Sequence, residues 1–205
     1  MKKGKFITFE GSEGSGKSTH ARLLCDYLKK KKRSVLNLRE PGSTFISEKV
    51  RRILLNPEHK TISNICEAML YMAARAQLVS EVIKPALKKG TIVICDRFLD
   101  ATIVYQGYGH GIDLKTLRYI GNFVTQDITP EITFLLDIET KEGLRRAGKV
   151  KDRIEQRSLR YHRRVRRGYL ALARKEPRRV KIIPVDGSNK YKTQAVIRKY
   201  VDKLL

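Results

Sequence analysis

The fold is decided by one stretch, Gly11-Ser12-Glu13-Gly14-Ser15-Gly16-Lys17-Ser18, in a chain of 205 residues. It fits the pattern GxxxxGK[ST] without a mismatch, between an apolar run and a helical pattern. Glycines let backbone N–H groups turn inward around a phosphate, and the helix N-terminus adds a partial positive charge. The sequence therefore predicts a nucleoside triphosphate site in which Lys17 reaches the β- and γ-phosphates and the Ser18 hydroxyl ligates Mg²⁺. The predicted triphosphate-binding residues are Gly11, Ser12, Glu13, Gly14, Ser15, Gly16, Lys17, Ser18 and Thr19.

Strand and helix patterns alternate on both sides of this loop. The central strand patterns are continuously apolar, which is typical of parallel strands buried on both faces. We therefore predict an α/β fold of the P-loop NTPase type, in three layers (α/β/α) around a five-stranded parallel sheet. Strands are predicted at residues 5–10, 34–38, 91–95, 132–136 and 180–185, and the main helices at residues 17–30, 46–55, 64–87, 114–125 and 190–204.

Composition limits the class of protein. The chain is 41% hydrophobic, with six prolines and fourteen glycines, as expected for a globular protein. No apolar run approaches the length of a transmembrane helix, and the apolar run after the basic start is too short for a signal peptide. Cys25, Cys66 and Cys95 form no CxxC pair and suit a reducing compartment. We expect one cytoplasmic domain over residues 1–205.

The charge is strongly basic. Forty-four Lys and Arg against 21 Asp and Glu give +23, and residues 141–181 alone carry +13 of this. Such an excess favours anionic partners, although a solvated basic surface is the alternative. A nucleic-acid-binding ATPase is a rival interpretation, but the aromatic residues are not interleaved with the basic run as stacking platforms would be. Any binding to nucleic acid is expected to be non-specific.

A second cationic site is predicted where a buried strand ends at Asp96-Arg97. An arginine-rich stretch follows at residues 145–157. Bringing two phosphates together requires cations at both of them and over the transfer point. A small kinase fits this pattern, and a strand-end salt bridge is the alternative for Arg97.

Four separated segments resemble the thymidylate kinases, a family of nucleoside monophosphate kinases. A fifth, residues 69–77, resembles the family's base-binding helix. The resemblance implies transfer of the γ-phosphoryl group of ATP to dTMP, giving dTDP for dTTP synthesis and DNA replication, with Mg²⁺ and in a homodimer. Helices at residues 69–82 or 114–124 could supply the dimer surface. The four segments are residues 6–19, Arg39-Glu40-Pro41-Gly42-Ser43-Thr44, residues 96–107 and Asp152-Arg153-Ile154-Glu155-Gln156.

The resemblance also implies roles for individual residues. Glu13 would contact the 3′-hydroxyl of the acceptor, and Arg97, assisted by Arg39, would clamp its 5′-phosphate. Tyr71 would stack on thymine, although core packing is the simpler reading of an aromatic on an apolar helix. The remaining predicted dTMP-binding residues are Arg75 at a base carbonyl, Thr102 at the base edge, Tyr105 against the 2′ position, and Gln106.

The basic stretch resembles the family's lid, at about residues 141–157. Members without an arginine in the P-loop place the catalytic arginine in the lid, and residues 12–15 include none. Arg153 is predicted to be catalytic together with Lys17, with Arg145 and Arg146 as alternatives. Asp96 is predicted to act on Mg²⁺ through water, or else to orient Arg97.

The chain departs from the family pattern at three places. Ser43 replaces a glycine, Phe98 replaces Tyr or His, and Ala101 and Thr102 replace serines. These changes affect the backbone at Ser43 and the base-edge contact rather than the phosphate chemistry. A deoxynucleoside kinase, or a kinase for another monophosphate, is the rival within this class. The predicted phosphate clamp at Arg97 argues against an acceptor that lacks a phosphate.

Overall fold

A computed structural model describes residues 4–148, 151–185 and 189–205 of the chain. Its five strands form one sheet in the order β2-β3-β1-β4-β5, and every neighbouring pair is parallel. The predicted five-stranded parallel sheet is confirmed. The strands are β1 (Phe6–Glu10), β2 (Val35–Arg39), β3 (Ile92–Asp96), β4 (Ile132–Asp137) and β5 (Val180–Pro184).

The helices connect and cover these strands. The prediction of one helix over residues 64–87 is wrong in one respect, because a π-helical turn at Val79–Ile83 interrupts it. A second π-helical segment, Ile103–Gly109, was not predicted, since apolar periodicity does not reveal a local widening of the helix. Among the described helices, none is long and apolar enough to cross a membrane. The α-helices are α1 (Lys17–Lys30), α2 (Phe45–Leu55), α3 (Asn64–Leu78), α4 (Lys84–Lys88), α5 (Leu99–Thr102), α6 (Leu114–Thr125), α7 (Thr140–Arg146), α8 (Leu159–Lys175) and α9 (Lys190–Leu204).

Alternating side chains of β1 enter two separate cores. Ile7 and Phe9 are fully buried among Leu24 of α1 and Ile197 of α9. Phe6 lies on the opposite face, in a cluster that includes residues of α3 and β3. Successive side chains of a strand point to opposite faces, so both faces of the central strand are covered. The result is the three-layer arrangement predicted from the sequence.

The strand register brings the site residues to one edge of the sheet. Phe9 of β1 is paired with Asp96 of β3, and Arg39 of β2 is paired with the same residue. The loop after β1 turns directly into α1, which begins at Lys17. Open parallel sheets bind ligands beyond the carboxyl ends of their strands. This fold therefore gathers the P-loop, Asp96 and Arg39 around one opening.

Candidate active site

A cavity of about 570 Å³ lies at the carboxyl edge of the sheet. This volume is typical of a small-molecule site. Gly11, Ser12 and Ser15 belong to the loop but do not line the cavity. Of the residues predicted from the sequence, those that line it are Glu13, Gly14, Gly16, Lys17, Ser18, Thr19, Arg39, Tyr71, Asp96, Arg97, Thr102, Tyr105, Gln106 and the predicted alternative Arg146.

The glycine-rich loop holds Lys17 folded into its own concavity. Gly14 and Gly16 have φ angles of 66° and 88°, which favour glycine. The Lys17 ammonium donates to the Ser12 carbonyl oxygen at 2.8 Å and to the Ser15 hydroxyl at 3.3 Å. Burial, helped by the charge of Arg97 and opposed by Glu13, lowers the pKa of Lys17 to about 8. A buried cation with so few partners is suited to an anionic ligand.

Ser18 and Asp96 offer oxygen ligands side by side. The Ser18 hydroxyl donates to the Asp96 carboxylate, joining the first turn of α1 to the end of β3. The described residues contain no group of three or more His, Cys, Asp or Glu side chains that could hold a metal. Mg²⁺ is commonly bound by one or two protein oxygens together with substrate phosphates. The pair therefore fits Mg²⁺ that arrives with a nucleotide.

Glu13, Arg97 and Tyr105 form one hydrogen-bonded cluster that is partly exposed to the cavity. Arg97 Nη2 donates to both carboxylate oxygens of Glu13, at 2.9 and 3.0 Å, and the Tyr105 hydroxyl donates to Glu13 Oε1 at 2.6 Å. Burial by itself would raise the pKa of Glu13, but the charges of Arg97 and Lys17 and the Tyr105 hydrogen bond lower it to about 2. The Arg97 guanidinium also lies 4.8 Å from the Tyr105 ring centre. The cluster thus presents a fixed cation to the cavity.

Glu10 fixes the turn that carries Arg97. Its carboxylate accepts the Phe98 N–H at 2.7 Å and the Tyr169 hydroxyl at 2.7 Å. Burial raises the pKa of Glu10 to about 7, Asp100 adds to this, and Arg97 opposes it. Arg97 has a φ of 71°, a strained conformation for a non-glycine residue that recurs at functional sites. The strain is held by the hydrogen bonds of Glu10 and by the Arg97 N–H, which donates to Phe9 O at 2.9 Å.

Arg75 is a predicted dTMP-binding residue that does not line the cavity. It is 1% exposed. Its guanidinium donates to Glu40 at 2.8 Å, to the Thr102 hydroxyl at 3.0 Å and to the Phe98 carbonyl at 2.9 Å. In this structure it braces Thr102, a cavity-lining residue, from behind. A direct contact of Arg75 with a base stays a prediction.

Arg153, predicted to be catalytic, does not line the cavity either. It is 6% exposed, its Nε donates to the Leu54 carbonyl at 2.8 Å, and its Nη2 lies 2.7 Å from Glu67. In this structure a buried acid behind the cavity wall, Glu67, holds the guanidinium, and the catalytic role of Arg153 stays a prediction. Arg145 pairs with Glu142 and is 74% exposed. Arg146, at the end of α7, is the predicted alternative that lines the cavity.

Three comparisons with known proteins agree with this geometry. The family model described as thymidylate kinase matches residues 9–196. A thymidylate kinase of Symbiobacterium thermophilum is 47% identical over 201 residues, which cover 98% of this chain and 94% of that protein. Another, of Pelobacter propionicus, is 48% identical over 193 residues, covering 90% and 87%. A crystal structure of thymidylate kinase from Ehrlichia chaffeensis has a TM-score of 0.81 at 33% identity, covering 98% of this chain and 99% of the other.

The chain belongs to the thymidylate kinase family. Kinases of this family transfer a phosphate group to dTMP, giving dTDP. The predicted family, the predicted fold class and the predicted dTMP kinase activity are therefore confirmed.

Ser43, a departure from the family pattern, adopts a backbone conformation that glycine favours. Ser43 has a φ of 68°, the left-handed conformation that favours glycine. Its hydroxyl accepts the Arg39 N–H at 2.9 Å, and its own N–H donates to Glu48 at 2.8 Å. These bonds stabilise a serine in a position where the thymidylate kinase pattern has glycine.

Several cavity-lining residues were not predicted from the sequence. Arg51 of α2 lines the cavity and donates to the Pro41 carbonyl at 2.8 Å. In the sequence, Arg51-Arg52 is indistinguishable from a solvated helix face. Glu40 lies in the segment at residues 39–44 that resembles the thymidylate kinases, so the sequence did contain a signal for a site residue there. The other unpredicted lining residues include Leu55, Asp152, Ile154 and Glu155.

Proposed function

We propose that ATP and dTMP occupy opposite ends of this cavity, with the γ-phosphoryl group passing between Lys17 and Arg97. The observation that carries the proposal is that one continuous cavity is lined by both cations. The loop residues Gly11–Thr19 would hold the ATP triphosphate, because their N–H groups and the start of α1 suit an anion. Arg97, 17% exposed and anchored by Glu13, would hold the acceptor 5′-phosphate. Glu13 would meet the 3′-hydroxyl.

Mg²⁺ would fit between the Ser18 hydroxyl and the Asp96 carboxylate, the two oxygen groups described above. When bound there, the ion supplies positive charge that neutralises the phosphate oxygens during transfer. Ser18 would provide its hydroxyl oxygen directly, and Asp96 would act through a water molecule.

The base and sugar would lie at the end formed by α3 and the π-helical segment Ile103–Gly109. Tyr71 lines this end and offers a ring face for stacking, while Thr102 and Gln106 offer polar atoms to the base edge. Arg75 supports Thr102 from behind. Tyr105 is held against Glu13 and would crowd the 2′ position, which favours deoxyribose.

Arg146 is our candidate for the cation over the transfer point. It lines the cavity, and its α7 helix packs so closely on the loop that Gly14 and Gly143 leave no room for a Cβ. Residues 141–157 would form the lid of a single domain. Lys149 and Val150 of the predicted lid lie outside the described residues.

We also propose a cytoplasmic homodimer with no membrane partner. Tyr119 and Phe123 of α6 are 80% and 81% exposed, and Ile65 of the adjacent α3 is 67% exposed. Exposed apolar groups gathered on neighbouring helices are typical of an interface between copies. Binding to nucleic acid would be non-specific and salt-dependent.

Calorimetry on two variants tests the two-ended site. We expect Arg97→Gln to weaken dTMP binding by about 100-fold, since the cation that would hold the 5′-phosphate is removed, and to change ATP binding only slightly. Lys17→Met should abolish turnover and leave dTMP binding nearly intact. Arg97→Lys, which keeps the charge, is the matched control and should recover part of the dTMP affinity. An equal loss of affinity for ATP and for dTMP in either variant would contradict the assignment of the two nucleotides to opposite ends of the cavity.

A further inference from the structure

Glu67 of α3 is a fully buried carboxylate that does not line the cavity. Four side chains lie around its two oxygens. Oε1 accepts the Gln106 amide at 2.9 Å and lies 2.9 Å from His110 Nε2. Oε2 lies 2.7 Å from Arg153 Nη2 and accepts Arg157 Nη2 at 3.2 Å. A single side chain therefore joins parts of the chain that are about 90 residues apart.

The four partners belong to two walls of the cavity. Gln106 and His110 come from the π-helical segment Ile103–Gly109 and the residue after it. Arg153 and Arg157 come from the turn at residues 151–157, whose Asp152, Ile154 and Glu155 line the cavity. Glu67 stands behind both walls at once.

The charge of Glu67 is what makes the burial of the Arg153 guanidinium favourable. Burying a guanidinium is costly unless it is paired and hydrogen-bonded. The Arg153 Nε donates a hydrogen bond to the Leu54 carbonyl, and Nη2 is paired with Glu67 through charge. Burial alone would raise the pKa of Glu67, but hydrogen bonds from His110 and Gln106 and the charge of Arg153 lower it to about 2. The carboxylate is thus ionised at neutral pH.

We propose that Glu67 is a positioning residue that docks residues 151–157 over the acceptor end of the cavity and, through Gln106, aligns the base-side wall with them. Arg153 then anchors the lid rather than meeting the transferred phosphate. This inference rests on the proposed acceptor site, because it is the dTMP end of the cavity that both walls enclose.

The test compares Glu67→Gln with wild type by amide hydrogen exchange and by steady-state kinetics. The isosteric change removes the charge and keeps the volume. We expect peptides containing residues 153–157 to exchange on the order of 10-fold faster, because the Arg153 N–H bond to the Leu55 carbonyl, 3.1 Å long, opens more often. Peptides from α9 should be unchanged. The KM for dTMP should rise on the order of 10-fold, and the KM for ATP less than about 2-fold.

Two further variants keep the test decisive. Glu176→Gln removes another acid that is paired with an arginine, Arg179, outside the cavity, and it should change neither readout. Arg157→Met removes the partner of Glu67 that is 31% exposed, so this variant should fold even if Glu67→Gln folds poorly. It should also speed up exchange at residues 153–157, but by a smaller factor.

The outcomes separate the inference from the proposed function. If Arg97→Gln leaves dTMP binding unchanged, the proposed acceptor site fails. If Arg97→Gln weakens dTMP binding, and the Glu67 and Arg157 variants exchange at residues 153–157 as wild type does, the inference is overturned. It is also overturned if exchange rises equally in α9, because Glu67 would then be a general stability residue.

Discussion

The proposed ATP site predicts that Lys17 couples ATP binding to the uptake of a proton. Burial lowers its pKa to about 8, so about half of these side chains are neutral at pH 8 in the free protein. Phosphates beside the ammonium favour its charged form and raise the pKa. ATP binding at pH 8 should therefore take up about half a proton, and this uptake should nearly vanish at pH 6.5. Titration calorimetry in two buffers of different ionisation enthalpy measures it.

The matched control for this prediction is Lys17→Arg. An arginine stays charged throughout this pH range, so its ATP binding should take up no proton. Identical heats for wild type in both buffers at pH 8 would show that Lys17 is already fully charged in the free protein.

Arg146 and Arg153 should respond differently to removal of their charge. We expect Arg146→Met to lower kcat on the order of 100-fold with little change in KM, because its cation meets charge that develops in the transition state. Arg153→Met should mainly raise the KM for dTMP, because Arg153 anchors the lid. Arg145→Met, on a side chain that is 74% exposed, is the control and should have little effect. A larger loss of kcat in Arg153→Met would return the catalytic role to that residue.

At the scale of elements, the contact between α7 and the P-loop depends on Gly143. An alanine there would improve helix propensity by about 1 kcal/mol in an isolated helix. In the folded chain its Cβ would collide with the Glu13 carbonyl oxygen. We expect Gly143→Ala to destabilise the protein by about 1–3 kcal/mol and to lower kcat on the order of 10-fold, because α7 and Arg146 are pushed from the loop.

Thermal unfolding and steady-state kinetics check this expectation. Lys141→Ala, at an exposed position of the same helix, is the control and should leave kcat unchanged. A Gly143→Ala protein that is more stable and fully active would show that α7 does not need this close approach.

Local patterns were enough to predict the elements that surround the loop. GxxxxGK[ST] marks the β1–α1 junction, and apolar runs mark the buried strands, because both depend on neighbouring residues. The inward direction of Arg75 and Arg153 depends instead on distant partners, Glu40 and Glu67. The sequence offers three candidates for the catalytic arginine, which are Arg145, Arg146 and Arg153. It does not show which of them faces the cavity, because tertiary contacts decide the direction of a side chain.

At the scale of the whole molecule, the exposed aromatic groups of α6 should form the proposed dimer interface. Phe123→Asp would place a charge in an apolar interface, and we expect it to give monomers at micromolar concentration. Sedimentation velocity measures the mass. Tyr191→Asp, on an exposed aromatic of α9, is the control and should sediment as wild type does. An unchanged mass for Phe123→Asp would move the interface elsewhere or leave the protein monomeric.

The most direct test of the account is the choice of acceptor, measured as kcat/KM with ATP and Mg²⁺ for dTMP, dUMP, ribothymidine 5′-monophosphate and thymidine. The central claim is that Arg97, fixed by Glu13, holds an acceptor phosphate beside a base and sugar site. We expect dTMP to have the highest value, the ribonucleotide to be disfavoured by Tyr105, and thymidine to show no measurable turnover. Turnover of thymidine as efficient as that of dTMP would contradict the claim.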